Sequence, residues 1–218
     1  MQLPVNLIKI CGIRTVKDAK IAVELGANAI GLNLWPNSPR SVDLDSAIEI
    51  GGAIGEDILR VAVMVDPSPD ALSQILRCGV MDLVQLHGDE SPEMLRLEPG
   101  KTFKAVGVGR DTDLQGVLSW PGDILLVDAR DPLRKGGTGV LAPEDVARTV
   151  CRARRTILAG GLNSGNIYSR ITTLNPWGVD AASGVEFSPG RKCPEKTKTF
   201  IEEAKRAFAQ MNAELEDV

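Results

Sequence analysis

Ile124-Leu125-Leu126-Val127-Asp128 is the most apolar strand-like run in the chain, and it ends on a carboxylate. The next residues, Ala129-Arg130-Asp131-Pro132-Leu133-Arg134-Lys135-Gly136-Gly137-Thr138-Gly139, do not read as a prompt helix, which argues against a capping role for Asp128. The same arrangement recurs along the chain. Leu7-Ile8-Lys9-Ile10 runs into Cys11-Gly12, Ile157-Leu158-Ala159 into Gly160-Gly161, and Val179-Asp180-Ala181-Ala182 into Ser183-Gly184. Reactive groups and glycine loops at the ends of several apolar runs are how a parallel α/β barrel builds one active site.

Outward from these runs the pattern alternates. Strand-like segments fall near 6–11, 28–34, 59–65, 80–86, 102–107, 123–128, 155–159 and 177–182. Amphipathic segments fall near 15–25, 43–54, 69–78, 91–97, 111–119, 142–153, 164–174 and 194–212. Phe200, Ile201, Ala204, Ala207, Phe208 and Met211 recur at helical spacing. Ser68-Pro69-Asp70 and Ala142-Pro143-Glu144-Asp145 carry helix-start chemistry. The segment after Pro92 is cut short by Pro99-Gly100. Strand–helix alternation implies a parallel sheet, and eight units predict a single-domain (β/α)8 barrel over 1–218.

Composition narrows the function. The chain has 218 residues, 43% apolar and 25% charged, as expected of a soluble globular domain. A net charge of −4 offers no field for nucleic acid or an anionic membrane, so an anionic ligand needs locally placed donors. Cys11, Cys78, Cys151 and Cys193 form no CxxC pair, and with His87 as the single histidine a zinc cluster is not expected. Sparse cysteines suit a reducing compartment, and no run approaches the roughly 20 apolar residues of a membrane span. The residues before Leu7 lack the basic and apolar regions of a signal peptide, so a cytoplasmic location is expected.

Each candidate group has a chemical use and an ordinary structural one. Free cysteines are usually small buried hydrophobes. Cys11, however, precedes a glycine that lets the backbone turn toward a ligand, and a thiolate there can remove a proton if positive charge lowers its pKa. Lys9, two residues earlier, faces the same side of the strand. Gly160-Gly161-Leu162-Asn163 precedes a helix that Asn163 or Ser164 is placed to cap, and Ser183-Gly184 supplies donors on the next loop. Loops after the seventh and eighth strands are where such barrels often hold phosphate. Arg40, in Ser38-Pro39-Arg40, carries a planar fork for a carboxylate or phosphate, or is simply an exposed surface arginine. His87 ends the fourth strand and either takes part in chemistry or bonds locally. The long stretch after Asp128 has the length of a lid, and its cations either contact an anion or are solvated.

Taken in order, these segments resemble the phosphoribosylanthranilate isomerases of tryptophan biosynthesis. The pieces are Lys9-Ile10-Cys11-Gly12, Ser38-Pro39-Arg40, Val61 to Val65, Val84-Gln85-Leu86-His87-Gly88, Asp128 with Gly136-Gly137-Thr138-Gly139, Leu158 to Leu162, and Ser183-Gly184-Val185-Glu186 with Pro189-Gly190. The resemblance implies a cofactor-free, metal-free Amadori rearrangement of a small phosphorylated aminosugar in a monomer or homodimer. It assigns Asp128 as general acid at the ribose ring oxygen and Cys11 as general base at C2. It places Arg40 near the anthranilate carboxylate, Asp180 at the aromatic end and His87 against the substrate. Phosphate falls to Gly160, Gly161, Ser183 and Gly184, under a lid at Gly136, Gly137, Thr138 and Gly139.

The chain departs from the family pattern at several points. Val140-Leu141-Ala142-Pro143 replaces a lysine and an aromatic pair, and Ala182-Ser183 replaces a double serine. Asn33 and Trp35 replace a more aromatic second strand, and Cys193 stands where an aspartate often follows the lysine. None removes the acid or the base. Two other readings remain: a related phosphosugar isomerase of altered specificity, and a non-catalytic paralogue that binds a phosphorylated ligand. A metal-dependent epimerase would need more histidines than one, and a histidine-pathway isomerase would be expected to carry aspartate in place of Cys11.

Overall fold

Eight parallel strands close in chain order: β1 (Leu7–Cys11), β2 (Ala29–Asn33), β3 (Leu59–Met64), β4 (Leu83–Leu86), β5 (Thr102–Val108), β6 (Ile124–Ala129), β7 (Arg155–Leu158) and β8 (Gly178–Ala181). The structure, a computed structural model, describes residues 3–129 and 141–216. The glycine-rich stretch Gly136-Gly137-Thr138-Gly139 expected to form the lid, and the departure at Val140, lie outside the described residues. Closure is made by β1 against β8, with Lys9 opposite Asp180 in register.

Side chains alternate between two cores, as a period of two requires. Leu7, Ala29, Leu59, Leu83, Phe103 and Leu126 point inward and plug the lumen. Their neighbours Ile8, Ile10, Ile30, Ala62, Val84, Leu125 and Val127 point outward under the helices. Truncating one of the large members to alanine costs ~2–5 kcal/mol. The plug fills the lower barrel, so inward residues at the upper strand ends open onto a cavity.

The helices are α1 (Val16–Leu25), α2 (Leu44–Gly52), α3 (Pro69–Arg77), α4 (Pro92–Leu97), α5 (Leu114–Leu118), α6 (Glu144–Ala153), α7 (Ile167–Leu174) and α8 (Pro194–Glu216). Local chemistry starts them. The Ser68 hydroxyl accepts from the Ala71 amide at 3.2 Å, and Asp43 from Ser46 at 2.8 Å, each such cap contributing ~1 kcal/mol.

Several boundaries differ from the sequence expectation. The fourth strand begins at Leu83, not near 80, after a turn in which Gly79 takes φ +77°. The sixth helix begins at Glu144, directly after Pro143. The seventh begins at Ile167, because side chains hold 163–166 in a turn. There Asn163 N donates to Asn166 Oδ1 at 2.9 Å, and Gly165 N to Asn163 Oδ1 at 2.9 Å. Asn163 and Ser164 therefore do not cap α7; Asn166 occupies the cap position, without a side-chain bond there. A two-stranded antiparallel ribbon, β9 (Glu186–Ser188) with β10 (Arg191–Lys192), was not expected.

Candidate active site

The strand ends converge on a cavity of about 930 Å³ at the C-terminal face of the barrel. Cys11, Arg40, His87, Asp128, Asp180 and Ser183 line it, together with Gly160 and Gly161. Gly184 stands behind this wall, packed so closely on the Leu162 carbonyl that a Cβ there would collide with it. That contact brings the loops after β7 and β8 together.

Asp128 sits at the end of β6 with 7% of its surface exposed. Burial raises its carboxyl to a pKa of about 6; the Ala129 amide opposes this, Asp180 adds to it and Lys9 opposes it. Its Oδ2 lies 3.7 Å from His87 Nε2. Gly160, at φ +77°, passes the carboxylate so closely that a Cβ would stand 2.6 Å from Asp128 Oδ1. Only glycine combines that backbone conformation with that approach.

Cys11 ends β1 and keeps part of its surface open to the cavity. Burial nevertheless dominates its ionisation and raises the thiol pKa. Lys9 opposes this, Asp180 adds to it, and Lys192 opposes it. This corrects the expectation that nearby positive charge lowers the thiol. Neighbouring cations are present, but desolvation of the thiolate outweighs them. The next residue, Gly12, takes φ +74° and lets Arg40 pack across it, where a Cβ would lie 2.5 Å from Arg40 Cδ.

Lys9 is fully buried, its ammonium 2.8 Å from Asp180 Oδ2 and in hydrogen-bond contact with the Cys11 sulfur. Burial alone would lower its pKa, but Asp180 and Cys11 together raise it. Asp180 Oδ1 is buried and has no hydrogen-bond partner among the described residues.

Arg40 is held bidentately by Glu186, Nε to Oε1 at 2.9 Å and Nη2 to Oε2 at 2.8 Å. Lys192 Nζ donates to the same carboxylate at 2.8 Å. Burial pushes the Glu186 carboxyl up, but Arg40 and Lys192 outweigh it and leave the pKa lowered. Sequence reasoning quoted Glu186 within a motif but gave it no role, and it gave Lys192 none either. The ribbon that carries both leaves little periodic signal in five strand residues. Cys193 is buried beside it, its thiol 3.2 Å from Glu195 Oε2.

The loop after β7 turns on Gly160 and Gly161, both at positive φ. Asn163 and Asn166 side-chain amides hold the Gly161 carbonyl at 3.2 and 2.9 Å. This ties the carbonyl back and leaves the glycine turn beside Ser183 at the cavity wall. Among the described residues, no three His, Cys, Asp or Glu side chains are grouped to hold a metal ion. No helix among them is long and apolar enough to cross a membrane.

An acid from β6, a base candidate from β1 and glycine loops after β7 and β8, all opening on one face, define a (β/α)8-barrel enzyme. Its family follows from comparison with known proteins. The chain belongs to the N-(5'-phosphoribosyl)anthranilate (PRA) isomerase family, which matches residues 8–203. An N-(5'-phosphoribosyl)anthranilate isomerase of Trichlorobacter lovleyi is 37% identical over 202 residues, covering 92% of this chain and 98% of that protein. The one from Rubrobacter xylanophilus is 36% identical over 202 residues, covering 91% and 98%. The crystal structure of phosphoribosyl anthranilate isomerase from Thermotoga maritima superposes with a TM-score of 0.85 at 33% identity, covering 92% and 98%. A phosphoribosyl anthranilate isomerase solved with reduced 1-(o-carboxyphenylamino)-1-deoxyribulose 5-phosphate gives 0.80 at 33% identity, with the same coverage.

Proposed function

We propose that Asp128 and Cys11 are the acid and base of this protein's reaction. The protein is an isomerase of tryptophan biosynthesis. It converts N-(5'-phosphoribosyl)anthranilate into 1-(2-carboxyphenylamino)-1-deoxyribulose 5-phosphate. The observation that carries the assignment is a buried carboxyl with a pKa of about 6 opening on the same cavity as a thiol in contact with an ammonium.

Asp128 first gives its proton to the ribose ring oxygen, the C1–O bond breaks, and the aniline nitrogen lone pair forms an iminium. With a pKa near 6 it keeps roughly a tenth of its protons at pH 7, enough to serve as acid while remaining a stable carboxylate afterwards. Cationic nitrogen acidifies the C2 hydrogen, which the Cys11 thiolate removes. The enolamine formed then tautomerises to the ketone. Lys9, in contact with the Cys11 sulfur, stabilises the thiolate that does this work.

The rest of the cavity orients the substrate. The glycine turn at Gly160-Gly161 and the Ser183-Gly184 loop receive the phosphate. The exposed edge of Arg40, held in place by Glu186, addresses the anthranilate carboxylate. Asp180 Oδ1, which has no hydrogen-bond partner among the described residues, is an acceptor for an N–H at the aromatic end. His87 covers the ribose beside Asp128.

The test is fluorescence-monitored turnover of freshly generated phosphoribosylanthranilate in the presence of EDTA. Cys11→Ala and Asp128→Ala should each lower kcat about 10²–10⁴-fold in folded protein. Near-normal turnover in either variant removes that residue from its role. A folded wild-type protein that bound product analogue without turnover would instead be a binding paralogue.

A further inference from the structure

Gln85 stands where a barrel lumen ordinarily holds an apolar side chain. It lies on β4, between Leu83 in the plug and His87 at the rim, and only 1% of it is exposed. Its neighbours in register are Val63 and Phe103. Burying an amide among such residues is costly unless it is hydrogen-bonded. Its Nε2 lies 2.8 Å from His87 Nδ1, whereas its Oε1 has no partner among the described residues.

We propose that Gln85 is a positioning residue that holds His87 as the neutral tautomer protonated at Nε2, so that an N–H donor faces the general acid Asp128. The inference rests on the reading of Asp128 as the acid. Two arguments fix the direction of the Gln85–His87 bond. With Nε2 donating to Nδ1, Oε1 is the one side-chain polar atom left without a partner among the described residues and at most one N–H goes unused; with the amide reversed, the nitrogen is left without a partner and both of its N–H donors go unused, the costlier arrangement. The second argument comes from the other side of the ring. His87 Nε2 is 3.7 Å from Asp128 Oδ2, and a ring lone pair facing a carboxylate would be repelled where an N–H is attracted.

The consequence is catalytic. Once Asp128 has given up its proton, its carboxylate is desolvated beside Asp180, with the Ala129 amide and Lys9 in opposition. A neutral N–H from His87 closing on Oδ2 stabilises that developing charge without adding a cation. Hydrogen bonds of this kind often tighten only when substrate is bound. His87 then acts on the reaction through Asp128, and Gln85 acts through His87.

His87 is the chain's one histidine, so its imidazole signals need no assignment. Long-range ¹H–¹⁵N spectra of imidazole-labelled wild-type protein at pH 7.5 should show Nε2 protonated and Nδ1 bare. Gln85→Glu, which can only accept, should move the proton to Nδ1; Gln85→Leu should leave a mixture. In both variants kcat should fall about 10–100-fold, the size of a hydrogen bond to a charged group, with KM changed far less. An Nδ1-protonated or imidazolium ring in wild type overturns the proposal, as does a folded variant with wild-type kcat. The wild-type spectrum decides even if both variants fail to fold. Because it reads the tautomer without turnover, its failure is distinct from failure of the acid assignment, which Asp128→Ala tests.

Discussion

Lys9 and Asp180 are 171 positions apart in the chain, yet their side chains meet at 2.8 Å inside the barrel where β1 closes on β8. The pair is the electrostatic floor of the active site. Lys9 is wholly buried and Asp180 nearly so, and the same ammonium touches the Cys11 sulfur.

Removing one partner should therefore be far worse than removing both. Lys9→Met leaves Asp180 buried and unpaired, and should cost ~3–5 kcal/mol of stability in urea unfolding. Lys9→Met combined with Asp180→Leu should recover most of that loss while remaining inactive. A single variant as stable as wild type would contradict the burial of the pair.

The two proton-transfer groups should appear in reversed order in the pH profile. On the proposed roles the reactive form needs Asp128 protonated, with a pKa of about 6, and Cys11 ionised, with its pKa raised by burial. The population carrying both rises up to about pH 6, stays level, and falls above the thiol pKa. kcat/KM should therefore be bell-shaped, with its acid limb near 6 and its alkaline limb above the ordinary thiol range. An acid limb near 4 would contradict the burial-shifted Asp128.

Asp128 also makes stability depend on pH. Its folded pKa, about 6, lies above an unfolded value of about 3.9, so between those pH values the native state binds more protons. Its contribution is most favourable below pH 4 and is lost as pH rises through 6. Asp128→Asn should thus be more stable than wild type at pH 8 by ~2–3 kcal/mol, with the difference vanishing below pH 4. Chemical denaturation at the two pH values measures it.

Arg40, the proposed anchor of the substrate carboxylate, presents a fork already clamped by Glu186. Arg40→Lys keeps the charge but loses the bidentate clamp. It should raise KM roughly 10–100-fold with little change in kcat, since hydrogen bonds to charged groups have about that worth. An unchanged KM would reject Arg40 as the carboxylate anchor.

Much of this architecture was legible in the chain. Apolar runs ending at Cys11, Asp128, Gly160 and Ala182 marked the upper strand ends, because strand–helix alternation leaves a periodic trace. Where elements are held by side chains, the trace failed. Asn163 and Asn166 bond each other's surroundings and delay α7 to Ile167, a choice that composition does not reveal. The ribbon bearing Glu186 and Lys192 was missed because its strands are too short for periodicity. Gln85 was read only as part of a motif, since nothing local tells a lumen glutamine from an exposed one.

By itself the sequence determined the barrel, the family, and the positions of the proposed acid and base at strand ends, all properties carried by local pattern and residue type. Only the tertiary structure decided what each group feels. Closing β1 on β8 paired Lys9 with Asp180, and packing around Cys11 let desolvation outweigh its cationic neighbours. The ribbon took up one edge of the Arg40 fork, and the end of β4 set His87, bonded to Gln85, beside Asp128. Charge and protonation depend on distance and solvent exclusion, and those exist only once remote strands lie side by side.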